Sequence, residues 1–169
     1  MEKHLLLTIS IGNLRKQLTE YTLFWMKNYC KKYDIEFKLV DELPQDFPSS
    51  LDIRFSKLYI IYKLLDTYDR IIFLDDSCII HSKCPNLFEI VNEKKLGAYI
   101  ESNEFDRKED IKNITNHMEL KYNNNMIMIN TGVLVISKIH KNMFDLSNIN
   151  IMKLRKMPTV FKDQSIVCY

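Results

Sequence analysis

Two adjacent carboxylates, Asp75 and Asp76, follow directly on the apolar run Ile71-Ile72-Phe73-Leu74, and Ser77 comes next. A run without polar alternation reads as a strand covered on both faces, the habit of a parallel strand inside an α/β sheet. Its acids then stand at the carboxyl edge of the sheet, where open α/β sheets bind ligands. Neighbouring carboxylates at that edge can hold a hard divalent cation and, through it, a substrate phosphate. The ordinary alternative is that Asp75 and Asp76 only end the strand and cap the next turn. A second polar interruption, Asn130-Thr131-Gly132, breaks the apolar segment Met126 to Ile136. A glycine and two polar residues inside a strand mark a bulge or the close approach of another group.

The elements that must carry these residues follow from periodicity. Leu5 to Ile11 reads as a first strand, with Gly12-Asn13 as turn chemistry after it. Leu14, Leu18, Tyr21, Trp25 and Tyr29 recur at the helical period and predict an apolar stripe packed in the core. Ile35 to Val40 alternates as a second strand, and Pro44 to Ser50 is a connecting loop. A helix is predicted from about Asp52, with Phe55, Leu58, Tyr59, Tyr62 and Leu65 on one face and Arg54, Lys57 and Lys63 on the polar one. Cys78-Ile79-Ile80 continues briefly extended. Pro85 to Val91 predicts a short helix with proline in its first turn, and Leu96 to Ile100 another strand. Asp106 to Lys121 is charged and weakly amphipathic, Met152 to Lys156 reads as a short basic helix, and Asp163-Gln164 opens a last helix. Strands alternating with helices predict an α/β fold.

Length and composition narrow the class. The 169 residues predict one domain spanning 1–169. The 24 basic residues nearly cancel the 22 acidic ones, and without a block of like charge no nucleic-acid-binding surface is expected. Leu5 to Ile11 is too short for a signal segment or a membrane span, so the expected location is cytoplasmic. Cys30, Cys78, Cys84 and Cys168 form no Cys-x-x-Cys pair and read as reduced thiols.

Three separated segments together resemble the nucleotide-sugar glycosyltransferases of the GT-A fold, in particular the retaining glycosyltransferase family 8 that includes glycogenin. The first runs from Phe55-Ser56-Lys57-Leu58 through Tyr68-Asp69-Arg70-Ile71-Ile72-Phe73-Leu74-Asp75-Asp76-Ser77 to Asn86-Leu87-Phe88. The second is Ile129-Asn130-Thr131-Gly132-Val133-Leu134-Val135-Ile136, and the third is Asp163-Gln164. Their order and spacing match the family over most of the chain. The resemblance implies a Rossmann-like open mixed sheet with helices on both faces. It also implies a metal-assisted transfer of a hexose from a nucleoside-diphosphate sugar, such as a UDP-sugar, to a glycan, protein or small-molecule acceptor.

Carried over residue by residue, the resemblance makes Asp75 and Ser77 the ligands of Mn²⁺ or Mg²⁺, at the first and third positions of the family's Asp-x-Asp. It places Lys57 by the donor phosphates and Asp163 and Gln164 around the transferred sugar. Asn130, Thr131 and Gly132 line the donor-sugar and acceptor pocket; Thr8, Ser10, Arg54 and Asp76 complete the substrate-binding set. The ordinary alternatives are a solvated lysine at Lys57, a bulge at Asn130 to Gly132 and a helix N-cap at Asp163. Two departures stand out. Ser77 replaces an acid and brings no charge to the cation, and the chain reaches Tyr169 before the histidine that completes the family's metal site. His81 and His140 read as surface residues. Two further functions therefore remain open: a truncated or degenerate domain that binds a sugar nucleotide without turnover, and a nucleotidyltransferase. The absence of a Gly-rich phosphate loop near the N-terminus disfavours the second of these.

Overall fold

The computed structural model describes residues 2–12, 16–101, 106–147, 149–150, 152–153, 156 and 163–167. Five strands form one sheet in the order β2-β1-β3-β5-β4. They are β1 (His4–Ile9), β2 (Glu36–Val40), β3 (Arg70–Asp75), β4 (Gly97–Ile100) and β5 (Ile129–Ser137). The helices are α1 (Lys16–Tyr33), α2 (Ser56–Leu64), α3 (Leu87–Ile90), α4 (Lys108–Met118) and α5 (Gln164–Val167). Two 3₁₀ segments, Ile53–Phe55 and Lys138–Phe144, lead into α2 and out of β5.

The continuous apolar runs are explained by the sheet's two covered faces. Successive side chains of a strand point to opposite sides, so Leu5, Leu7, Ile71, Phe73, Leu134 and Ile136 pack beneath Phe55, Leu58 and Ile61 of the α2 segment. Leu6, Ile72, Leu74 and Val135 turn the other way, onto Met26, Tyr29 and Cys30 of α1. β1 pairs parallel with both β2 and β3, joining Leu5 to Ile71 and Ile9 to Asp75. β3 is parallel on that side only. On its other side β5 runs antiparallel, with Leu74 opposite Val133. The expected parallel strand is thus the seam between the parallel and antiparallel halves of a mixed sheet.

α1 departs from the expected packing. Tyr29 is buried as predicted, but Leu18 and Tyr21 lie on the exposed side and Trp25 is half-buried; Leu14 falls outside the described residues. The inward face is built from Thr19, Thr22, Met26, Tyr29 and Cys30. Reading the stripe from large residues put the inward face on the wrong flank of the helix, because two threonines take core positions to reach a polar partner at the strand edge. α1 ends where Asp34 adopts φ 54° and the Ile35 N–H donates to the Cys30 carbonyl at 3.0 Å, a left-handed stop common at helix ends.

Two boundaries also shift. Asn86, not Pro85, caps α3, its side chain accepting from the Phe88 N–H at 3.1 Å, so the proline precedes the helix. Cys78 to Ile80 forms no strand. The predicted helix at 152–156 lies partly outside the described residues. Cys30, Cys78 and Cys84 are free thiols; Cys168 is outside the described residues. No described helix is long and apolar enough to cross a membrane.

Arg70 opens β3 and is only 7% exposed. It donates from Nη1 to the Phe88 carbonyl and from Nη2 to the Val91 carbonyl, each at 2.6 Å, and from Nε to Ser137 Oγ at 3.1 Å. The carbonyls at the end of α3 lack intrahelical partners, and this arginine supplies them while fastening the helix to β3 and β5.

Candidate functional site

The site lies where β1 and β3 end and β5 begins. Since β5 is antiparallel to β3, its first residues lie at the edge where β3 finishes, and Asn130-Thr131-Gly132 stands beside Asp75. The interruption is a bulge, as predicted. β4 pairs Ala98 with Leu134 and then Tyr99 with Asn130, so residues 131–133 are left out of that ladder. Asn130 Oδ1 accepts from the Gly132 N–H at 2.8 Å and holds the bulge in shape. A Cβ on Gly132 would stand 2.9 Å from both Asn130 Oδ1 and Asp75 Oδ2, which explains why the position has no side chain.

Lys57, at the start of α2, gathers this edge together. Its ammonium lies 2.7 Å from Asp163 Oδ2 and 3.3 Å from Asp75 Oδ1. It also donates to the Thr131 carbonyl at 3.1 Å and to Thr131 Oγ1 at 3.2 Å. Phe73 lies below, its ring centre 4.9 Å from the ammonium. Thr131 Oγ1 in turn donates to Asp163 Oδ2. The Lys57 and Asp163 side chains are 14% and 15% exposed, so Lys57 is not the solvated lysine of a helix's outer face. Asp163, directly before α5, binds Lys57 and Thr131 through Oδ2.

Asp76 is fixed separately. Ser10 Oγ donates to its Oδ2 at 2.8 Å and Thr19 Oγ1 to the same oxygen at 3.2 Å, while Thr22 Oγ1 donates to its carbonyl at 2.6 Å. A cleft of about 280 Å³ opens here between the end of β1 and Ile53-Arg54, lined by Ser10, Gly12, Arg54, Ser56 and Asp76. Gly12 turns the chain at its rim with φ 92°. Arg54 at its mouth is held by Asp52 through a two-pronged pair, Nε to Oδ1 at 2.9 Å and Nη2 to Oδ2 at 2.7 Å. The structure thus brings Ser10, Arg54 and Asp76 to one cleft, next to the group of Lys57, Asp75, Thr131 and Asp163. Thr8 lies apart from both, fully buried within the sheet.

Gln164 is held at the start of β5. Its amide donates to the Ile129 carbonyl at 2.9 Å and to Glu101 Oε2 at 3.2 Å, pinning α5 to the start of β5. Glu101, Thr19 and Thr22 escaped the sequence analysis. The threonines left a usable signal, hydroxyls three apart on α1; Glu101 left none, because only the fold brings the end of β4 to Gln164.

Burial pushes the Asp75 carboxyl above its ordinary value; Lys57 pulls it down, and Asp163 and Asp76 push it further up. With 44% of the side chain still open, water screens part of that penalty. The folded protein then holds this proton to higher pH than the unfolded chain does. Stability falls as pH climbs from the ordinary carboxylate range through the raised pKa. Asp75→Asn removes that slope, so thermal melts should show the variant more stable than the parent at neutral pH. The gap should close below about pH 4, where both carry a neutral side chain.

Among the described residues no three His, Cys, Asp or Glu side chains gather as a metal site. Asp75 is half-open and Ser77 is exposed in the turn after it. One carboxylate and one hydroxyl suit a hard cation that takes its other oxygens from substrate phosphate and water, as Mg²⁺ commonly does. Three carboxylates, Asp75, Asp76 and Asp163, stand against Lys57 and the more distant Arg54, so this edge carries an excess of negative charge.

No protein-family model matches this sequence, and no curated protein matches it. Among solved structures, the chain is similar to a glycosyltransferase involved in the glycosylation of the major capsid of PBCV-1, at 14% identity and a TM-score of 0.54. The match covers 86% of this chain and 66% of that one. The mixed α/β sheet flanked by helices is therefore a fold that a glycosyltransferase also adopts.

Proposed function

We propose that this protein is a glycosyltransferase that moves a hexose from a nucleoside-diphosphate sugar, a UDP-sugar in the first instance, to a hydroxyl of a glycan, protein or small-molecule acceptor. The observation that carries this reading is the convergence on Lys57. Residues 57, 75, 131 and 163, far apart in the sequence, meet within hydrogen-bonding distance at the carboxyl edge of the sheet. The fold likeness supports the same class.

In this reading the cleft lined by Ser10, Arg54 and Asp76 receives the nucleotide, and the diphosphate reaches toward Lys57. The bond between the anomeric carbon and the diphosphate breaks as the acceptor oxygen bonds that carbon, and the acceptor's proton leaves with the phosphate or solvent. Negative charge grows on the leaving oxygen, so a fixed ammonium already oriented by two carboxylates and a carbonyl stabilises the transition state without reorganising. Asp163 and Thr131 keep Lys57 in place, and the bulge at Asn130 to Gly132 leaves room beside Asp75 for the sugar. Asp75 and Ser77 would hold Mn²⁺ or Mg²⁺ together with the phosphates, and the ion would neutralise charge on the leaving group. Retention of anomeric configuration follows the resemblance to family 8.

Ser77 favours a second reading, a domain that binds the sugar nucleotide without turning it over, since a neutral hydroxyl weakens the cation site. Purified protein with Mn²⁺ and a panel of UDP- and GDP-sugars decides between them. Transfer or hydrolysis of at least one donor, abolished by Asp75→Ala, is the expected result. A Mn²⁺-dependent thermal shift with donor but no turnover selects the binding domain, and neither turnover nor shift removes both readings.

A further inference from the structure

The outward flank of α1 is apolar where a soluble helix is ordinarily polar. Phe24 is 59% exposed, Tyr21 57% and Leu18 42%, and the half-buried Trp25 packs edge-on against Phe24 with ring centres 5.4 Å apart. The surface continues past the helix. A hollow lined by Trp25, Tyr29, Ile80 and His81 adjoins a larger cavity of about 470 Å³, which shares Tyr29, Ile80 and His81 with it. That cavity is floored by Ile72, Leu74 and Val133 of the sheet, and Ile79 at its wall is 56% exposed. Contiguous exposed apolar surface of this extent marks an interaction site rather than scattered surface residues.

Charge identifies the partner. α1 carries Lys16, Lys27, Lys31 and Lys32 against Glu20 alone, with Asp34 just beyond its end. Lys16 and Glu20 share a separate cleft with Asp41. Lys27 lies over the Phe37 ring of β2, so the rim of the apolar surface is left with Lys31 and Lys32 of α1 and Lys83 of the loop, and no acid occurs between Cys78 and Leu87. Lys32 leans over the Tyr33 ring toward the loop carbonyls of Ser82 and Cys84, so the basic rim spans both parts of the surface. Two copies of this face brought together would set lysine against lysine. A helix with aromatic and leucine side chains on its exposed flank and lysines around them is instead suited to lie in the interface of an anionic bilayer.

We propose that the outer face of α1, with the loop at Ile79 and Lys83, docks this protein onto an anionic lipid surface without crossing it. The site at the strand edge plays no part in this docking, and the proposal stands apart from the reading of that site.

Co-sedimentation of the full chain with vesicles tests it, using phosphatidylcholine alone and phosphatidylcholine mixed with phosphatidylserine. The protein should pellet with the mixed vesicles about tenfold more strongly than with the neutral ones, and added salt should weaken this binding. Tyr21→Ser with Phe24→Ser should lower it by about tenfold or more through lost apolar burial. Lys31→Glu with Lys83→Glu should do the same through charge, on side chains outside the core. All these positions are exposed, so the melting temperature should hold. Equal partition onto both vesicles, or onto neither, overturns the proposal. So does a dimer seen by light scattering that Phe24→Ser dissolves, since the face would then join two copies of this chain.

Discussion

Lys57→Met should leave the protein folded and abolish sugar transfer, with turnover falling by about 10² to 10³, the usual cost of losing one fixed group that stabilises developing charge. The size of the effect follows from how the ammonium is held. Its hydrogens point to Asp75, Asp163 and Thr131, so it is oriented before any donor arrives. Methionine keeps the stem above Phe73 but leaves two carboxylates facing each other at a half-covered edge. Lys57→Arg should not restore activity, because a planar guanidinium cannot direct donors to three groups that surround a single nitrogen. Lys57→Met and Asp163→Asn should be strongly non-additive, since the second substitution removes a carboxylate whose partner has already gone. Donor turnover measured on the two single variants and the double one checks this. Turnover within about threefold of the parent in Lys57→Met would exclude the lysine from the machinery, a tenfold change being the ordinary sign of one lost interaction.

Arg70→Met should instead act on stability. Its guanidinium serves the Phe88 and Val91 carbonyls and the Ser137 hydroxyl from a position that water barely reaches. Hydrogen bonds to a charged group contribute about 1.5 to 3 kcal/mol each, and carbonyls left unmet inside the protein cost a similar amount. A loss of about 3 kcal/mol or more is expected by urea unfolding, with the end of α3 losing hydrogen-exchange protection first. Donor binding per folded molecule should stay unchanged, since Arg70 opens β3 and Asp75 closes it, at opposite edges of the sheet.

Several parts of this structure were legible in the sequence for simple physical reasons. A strand covered on both faces needs an unbroken apolar run, and Ile71 to Leu74 is one. A bulge needs residues that relinquish ladder pairing, and Asn130-Thr131-Gly132 is such a set. The last helix begins at Gln164, directly after the acid that was expected to open it. The inward face of α1 was not legible from residue size, because Thr19 and Thr22 displace larger side chains from the core in order to hold Asp76. Nor was the role of Glu101, since Gln164, which it holds, lies 63 residues away in the sequence.

The sequence by itself determined the chemistry on offer: an acid pair closing an apolar strand, a lysine at the start of a helix, an interrupted strand, and an Asp-Gln pair near its end. It also determined that helices alternate with strands, since apolar periodicity is local. Only the tertiary structure decided that these groups meet. The deciding element is the direction of β5. A parallel β5 would begin at the opposite edge of the sheet, some five residues of strand away from Asp75. At about 3.3 Å per residue that is well beyond the reach of a side chain. Because β5 runs antiparallel to β3, its bulge opens beside the Asp75 carboxylate, and Lys57 and Asp163 close around it. Strand direction is a long-range choice made by the packing of both faces of the sheet, and no short stretch of sequence encodes it.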